Sequence, residues 1–146
     1  WQIIHFVGTD LLDYVRNLRA RLTFIGQHAQ VWTLDLPPSA VSPQTSASAA
    51  LVVFLPRTEP LPEDPSAGLD RYVQEQGLDD RVVAITAPDR RSTGYGLSRH
   101  RDHPRLDFTR IKAEPDVHFT HQRGFVAKTS ASDPQRLRQL LMLAAV

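Results

Sequence analysis

Two pairs of histidines stand at H-x-x-H spacing in this chain, His100/His103 and His118/His121. On a helix, residues three apart share a face and can meet one ion. On a strand they point to opposite faces, so His118 and His121 converge only where the backbone turns between them. A further pair, His5 and Asp10, flanks the expected end of the first strand, which is where α/β sheets hold ligands. His5, Asp10, His103 and His121 are therefore the candidate metal ligands. A metal centre needs three or four converging donors, and Asp13 and Asp35 are the nearest additional carboxylates. Asp10 is equally well explained as a helix N-cap.

The second chemistry is electrostatic. The net charge is only +1, yet the stretch from Arg81 to Lys112 carries eight cationic side chains against three aspartates. Arg90, Arg91, Arg99, Arg101, Arg105, Arg110 and Lys112 form the candidate polyanion-binding set, with Tyr95 and Phe108 interleaved. Such clustering attracts phosphates without imposing sequence specificity. No cysteine is present, which excludes disulfides and thiolate metal sites. Gly94-Tyr95-Gly96 and Gly8-Thr9 are too short to cradle a phosphate, and neither a P-loop nor a G-x-S-x-G motif occurs.

The elements that must position these residues follow from periodicity. Gln2–Val7 reads as a buried strand, and Leu11, Leu12, Val15, Leu18 and Leu22 as the stripe of a helix capped by Asp10 and stopped at Gly26. Ala29–Leu36 reads as the next strand, which makes a βαβ opening with parallel strands. Pro37–Ser48 and Pro56–Pro65 read as loops. Ala50–Leu55 is a strand apolar on both faces, Ser66 caps a short helix ending at Gly77, and Arg81–Ala87 is a fourth strand. Asp89–Gly94 turns the chain into Tyr95–Ser98 as a hairpin partner, and Arg99–Pro104 is loop. Val117–Ala145 reads as two short β segments followed by a capped helix. The closing helix has Asp133 as N-cap, Pro134 in its first turn and Leu137, Leu140, Leu141 and Ala144 on one face.

A chain of 146 residues is the size of one domain. The expectation is a single α/β domain over 1–146, with a mainly parallel sheet flanked by helices and a C-terminal hairpin plus helix. Residues 1–87 form its βαβ-type core, and 88–146 add the hairpin, the basic loop and the closing helix. No apolar run approaches the roughly 18 residues that span a bilayer, so a soluble or peripheral protein is expected, with its compartment, organellar or cytoplasmic, left open. The first residue is Trp1, which suits a fragment or a chain from which an N-terminal segment has been removed.

The segment Val117–Ala127, with His121-Gln122-Arg123-Gly124-Phe125 before the closing helix, resembles the C-terminal end of DHH-type phosphoesterases, in particular their exonuclease branch. Ile3-Ile4-His5 and Asp10 resemble that family's first strand and helix. The resemblance implies phosphoester hydrolysis with Mn²⁺ or Mg²⁺ held by several aspartates and an Asp-His-His signature. Here Asp102-His103 is followed by Pro104, and Leu55 by Pro56-Arg57. Without those carboxylates the two-metal reaction lacks its base, and a degenerate member that retains binding is implied. His118-Phe119-Thr120 has the H-x-T form of another phosphoesterase class, but that class needs two copies. A competing resemblance is to receiver-type signalling domains, with Leu51–Leu55, Val82–Ala87 and Phe125–Thr129 as the third to fifth strands and Lys128 as the family's lysine. The phosphoacceptor aspartate is missing there as well. The expected function is that of a non-catalytic structural or interaction subunit. Its basic surface would contact RNA or an acidic partner, within a larger protein assembly.

Overall fold

The apolar stripe of the first helix extends further back than its cap suggested. In the computed structural model, which describes residues 2–34, 50–58 and 66–146, and the backbone alone for 2–11 and Asp102, α1 runs from Gln2 to His28. The expected first strand at Gln2–Val7 is thus corrected to helix. A six-residue apolar run suits either state, and here it continues the i, i+3, i+4 spacing of Leu11, Val15, Leu18, Leu22 and Ile25 through Gly8. His5 and Asp10 therefore lie within a helix, not at a strand end. The loop expected at Pro37–Ser48, Asp35 and most of Pro56–Pro65 fall outside the described residues.

The strands are β1 (Gln30–Leu34), β2 (Ala50–Phe54), β3 (Val82–Pro88), β4 (Tyr95–Arg99), β5 (Val117–Thr120) and β6 (Val126–Thr129). Helix α2 (Leu69–Glu75) joins β2 to β3, and α3 (Pro134–Leu143) follows β6. Two 3-10 turns, His100–Asp102 and Phe108–Ile111, lie on the way from β4 to β5. The sheet order is β1-β2-β3-β4-β6-β5. β2 and β3 are parallel, whereas β1/β2, β3/β4, β4/β6 and β5/β6 are antiparallel. The expected mainly parallel sheet is therefore wrong: this is a mixed, mostly antiparallel sheet, and its parallel unit is β2-α2-β3. For β3/β4 and β5/β6 the reason is connection length. Residues 89–94 and 121–125 are links too short for a crossover, which takes a dozen residues or more.

Each side of the sheet has its own core. On one side α3 and the second 3-10 turn lay Leu106, Phe108, Ile111, Leu137, Leu140, Leu141 and Ala144 over residues from β1 to β6. Asp133 caps α3 by accepting from the Gln135 amide, with Pro134 in the first turn, as the sequence indicated. On the other side Ile25 of α1 and Leu69 and Val73 of α2 cover Leu51, Val53, Leu55, Val82, Ile85 and Ala87. Each such apolar side chain, once buried, contributes about 1.5–3 kcal/mol. Among the described residues this second layer stops at β3. Helix α2 starts after Gly68 (φ 84°), not at a Ser66 cap, and Arg21 of α1 donates to the Ala67 carbonyl at 2.8 Å, which docks the two helices. Among the described residues no helix is long and apolar enough to cross a membrane.

Candidate functional site: the two ends of the sheet

The hairpin between β3 and β4 presents Arg90 and Arg91 at one end of the sheet, and its shape is set by two residues. Asp89 accepts from the Arg91 amide at 3.2 Å and the Ser92 hydroxyl at 3.1 Å, an Asx-type turn that fixes the loop. Burial pushes the Asp89 carboxyl up, but those two hydrogen bonds together with the charges of Lys128 and His118 outweigh it and hold the group below its usual range. From beneath, Arg57 donates through Nη2 to the carbonyls of Asp89 (2.9 Å), Ser92 (3.0 Å) and Gly94 (2.8 Å). Its backbone amide donates to the Tyr95 hydroxyl at 2.9 Å. Gly94 lies so close to β6 that any side chain would strike the Thr129 carbonyl. Pro56-Arg57, where a catalytic carboxylate was sought, is thus the clamp that holds the hairpin.

On this clamped hairpin Arg90 and Arg91 are exposed, and neither side chain meets a partner among the described residues. Lys128 of β6 stands beside them, with Nζ 3.9 Å from an Asp89 oxygen. This is a loose pair whose mutual neutralisation water weakens. The result is a cationic rim of Arg90, Arg91 and Lys128 around a single engaged carboxylate.

The opposite end of the sheet is occupied by structural polar groups. His100 is buried, with Nε2 2.8 Å from Asp79 and Nδ1 3.7 Å from Asp70. Arg101, in a left-handed conformation (φ 47°), also pairs with Asp79 at 2.9 Å. His103 accepts the Arg105 amide at Nδ1 (3.2 Å), and burial together with Arg105, His100 and Arg99 lowers its pKa. His121 accepts the Arg123 amide at Nδ1 (3.1 Å) and stacks on Phe125 at 4.8 Å. In both H-x-x-H pairs the second histidine therefore uses one ring nitrogen to close a local turn. His118, opposite the irregular register between Val117 and Phe119, is exposed and faces the hairpin end instead. Among the described residues no group of three His, Cys, Asp or Glu side chains converges on a metal position, and the side chains of His5 and Asp10 lie outside the description.

The structure also splits the candidate polyanion set. Arg99 donates to the Leu106 carbonyl (2.9 Å) and lies over Phe125 (5.2 Å). Arg105 is buried, and Arg110 reaches the Leu143 carbonyl at 3.4 Å while Lys112 is exposed after the second 3-10 turn. Arg90 and Arg91 are the members brought to the hairpin end. No family model, curated protein or solved structure matches this chain.

Sequence reasoning missed Lys128 as a neighbour of the hairpin, and it missed the roles of Arg57 and His100. Asp79 and His100 are 21 residues apart, and Arg57 is 32 or more from the carbonyls it holds, so no local spacing signals either contact. One signal was available for Lys128: strict alternation in Val126–Thr129 puts it on the face opposite the buried Ala127 and Thr129.

Proposed function

We propose that this chain is a non-catalytic α/β interaction domain that grips a polyanion, RNA or an acidic partner, at the hairpin end of its sheet. The observation that carries this reading is the pair Arg90 and Arg91. Both are exposed and their side chains meet no partner among the described residues, on a loop held from below by three hydrogen bonds from Arg57, whose own amide is tied to the Tyr95 hydroxyl. A cation on a rigid loop loses less entropy on meeting a phosphate or carboxylate than one on a mobile loop. Arginine adds a planar fork suited to both.

The test is binding of labelled heparin by the purified chain and by Arg90→Glu/Arg91→Glu. The reading expects binding by the wild type, loss of at least tenfold in the double variant, and an unchanged unfolding temperature, because both side chains are exposed. Unchanged binding by the variant would overturn it. So would Mn²⁺- or Mg²⁺-dependent hydrolysis of an oligonucleotide by the purified chain that is lost in His121→Ala.

A further inference from the structure

We infer that the half of the sheet which the described residues leave uncovered, formed by β4, β6 and β5, is a binding face for single-stranded nucleic acid. In this assignment Phe119 is the base-stacking surface, and Lys128, Arg90 and Arg91 are the phosphate contacts. The inference rests on the polyanion reading above and gives it a location and a ligand class.

Strand pairing defines the face. Ala87 pairs with Gly96, Gly96 with Lys128, and Lys128 with Phe119, so these four residues form one row across β3, β4, β6 and β5 on the same face. Ala87 is buried under the α1/α2 layer, and among the described residues the cover ends there. Beyond it, Gly96 is partly exposed, the Lys128 side chain is 37% exposed and Phe119 is 46% exposed. One residue pair along, Ser98 faces Val126 and adds a second small side chain to the floor.

Gly96 is the informative position. Glycine weakens a strand interior, and it is usually found where a bulge, a bend or a closely approaching group requires it. Gly96 sits in regular register, and among the described residues a Cβ added there would meet only the Ala87 carbonyl, at 3.9 Å. Nothing in the fold of the described residues demands glycine there. A flat group lying on the strand does.

The chemistry around that floor selects the occupant. Phe119 belongs to neither core cluster, and its ring stacks on no other aromatic among the described residues. An acidic peptide would use the cations but leave the phenyl ring and the flat floor unused. A second copy of this chain laid face to face would bring Lys128 towards Lys128, a like-charge approach that disfavours the pair. A single strand matches all three features: bases stack on exposed aromatic rings while phosphates follow the cationic rim, as on other open sheet faces that bind single strands.

The test measures fluorescence anisotropy of labelled U12 with the whole chain, using Phe119→Ala, Gly96→Val and Arg90→Glu/Arg91→Glu. Loss of one stacking ring is expected to weaken U12 binding about tenfold. Gly96→Val is expected to weaken it comparably while leaving the unfolding temperature equal or higher, since valine favours a strand and has room. If Gly96→Val fails to fold, Phe119→Ala decides alone. Loss in the arginine variant with wild-type binding in the other two overturns the face assignment and leaves the polyanion reading standing. Binding of an E12 peptide but not U12 by the wild type overturns the nucleic-acid assignment in favour of an acidic partner. A dimer dissolved by Phe119→Ala assigns the face to a second copy and overturns it too. Binding of neither probe overturns both readings.

Discussion

Replacing Arg57 with glutamine removes the donor that three hairpin carbonyls share. Hydrogen bonds to a charged donor contribute roughly 1.5–3 kcal/mol each when nothing replaces them. The hairpin lies at the surface, so water recovers part of this, and the Gly94 carbonyl keeps its bond from the Asp89 amide at 3.0 Å. The net loss is expected to be about 2–3 kcal/mol, or roughly 5–10 °C in unfolding temperature for a chain of this size. Arg57→Lys keeps the charge but not the planar fork and is expected to recover less than half of the loss. Both variants are read by thermal unfolding followed by circular dichroism. Because the clamp holds Arg90 and Arg91 in place, Arg57→Gln is also expected to weaken heparin binding, though less than the double charge reversal does. A change under about 0.5 kcal/mol, the size typical of an unremarkable surface substitution, would refute the clamp.

Four further outcomes follow from the packing. Thr86 is fully buried, and its hydroxyl finds no partner among the described residues, so Thr86→Val is expected to stabilise the fold by about 1 kcal/mol in denaturant titration. Gly124 has φ 76°, and a side chain there would strike the Asp107 carboxylate, so Gly124→Ala is expected to cost more than about 2 kcal/mol in the same titration. Hydrogen bonds from Arg136 hold the Asp116 carboxyl below its ordinary value, so the unfolded chain takes up that proton more readily than the folded one. This contribution is fully present above about pH 4 and is lost as pH falls through the folded value; Arg136→Gln should flatten that part of the acid-unfolding curve. Burial lowers the pKa of His103, so its ring resonances should titrate below the ordinary value of about 6.5, and its share of stability should fall as pH drops below that value.

The closing helix, its Asp133 cap and the hairpin at Asp89–Gly94 were legible because each is specified by residues within a few positions of one another. The mixed sheet was not. Ala50–Phe54 and Val82–Pro88 do lie parallel, but their neighbours run the other way, and strand direction depends on links whose length matters more than their composition. Gln2–Val7 failed for a different reason. A short apolar run carries no period of its own, and the stripe that continues from it into Leu11–Ile25 decided its state. The basic set was read from sequence proximity, yet β4 carries the chain from one end of the sheet to the other between Arg91 and Arg101. Residues ten apart are thereby sent to opposite ends. Conversely, Lys128 and Phe119 join Gly96 through strand register alone.

The salt dependence of U12 binding tests the central claim most directly. For a single strand each neutralised phosphate contributes about 0.7 to the magnitude of the slope of log K against log salt. If Arg90, Arg91 and Lys128 are the phosphate contacts, replacing all three with glutamine should reduce the magnitude of the slope by about 2 while leaving the unfolding temperature unchanged. An identical slope in the triple variant, or no wild-type binding in low salt, would contradict the account.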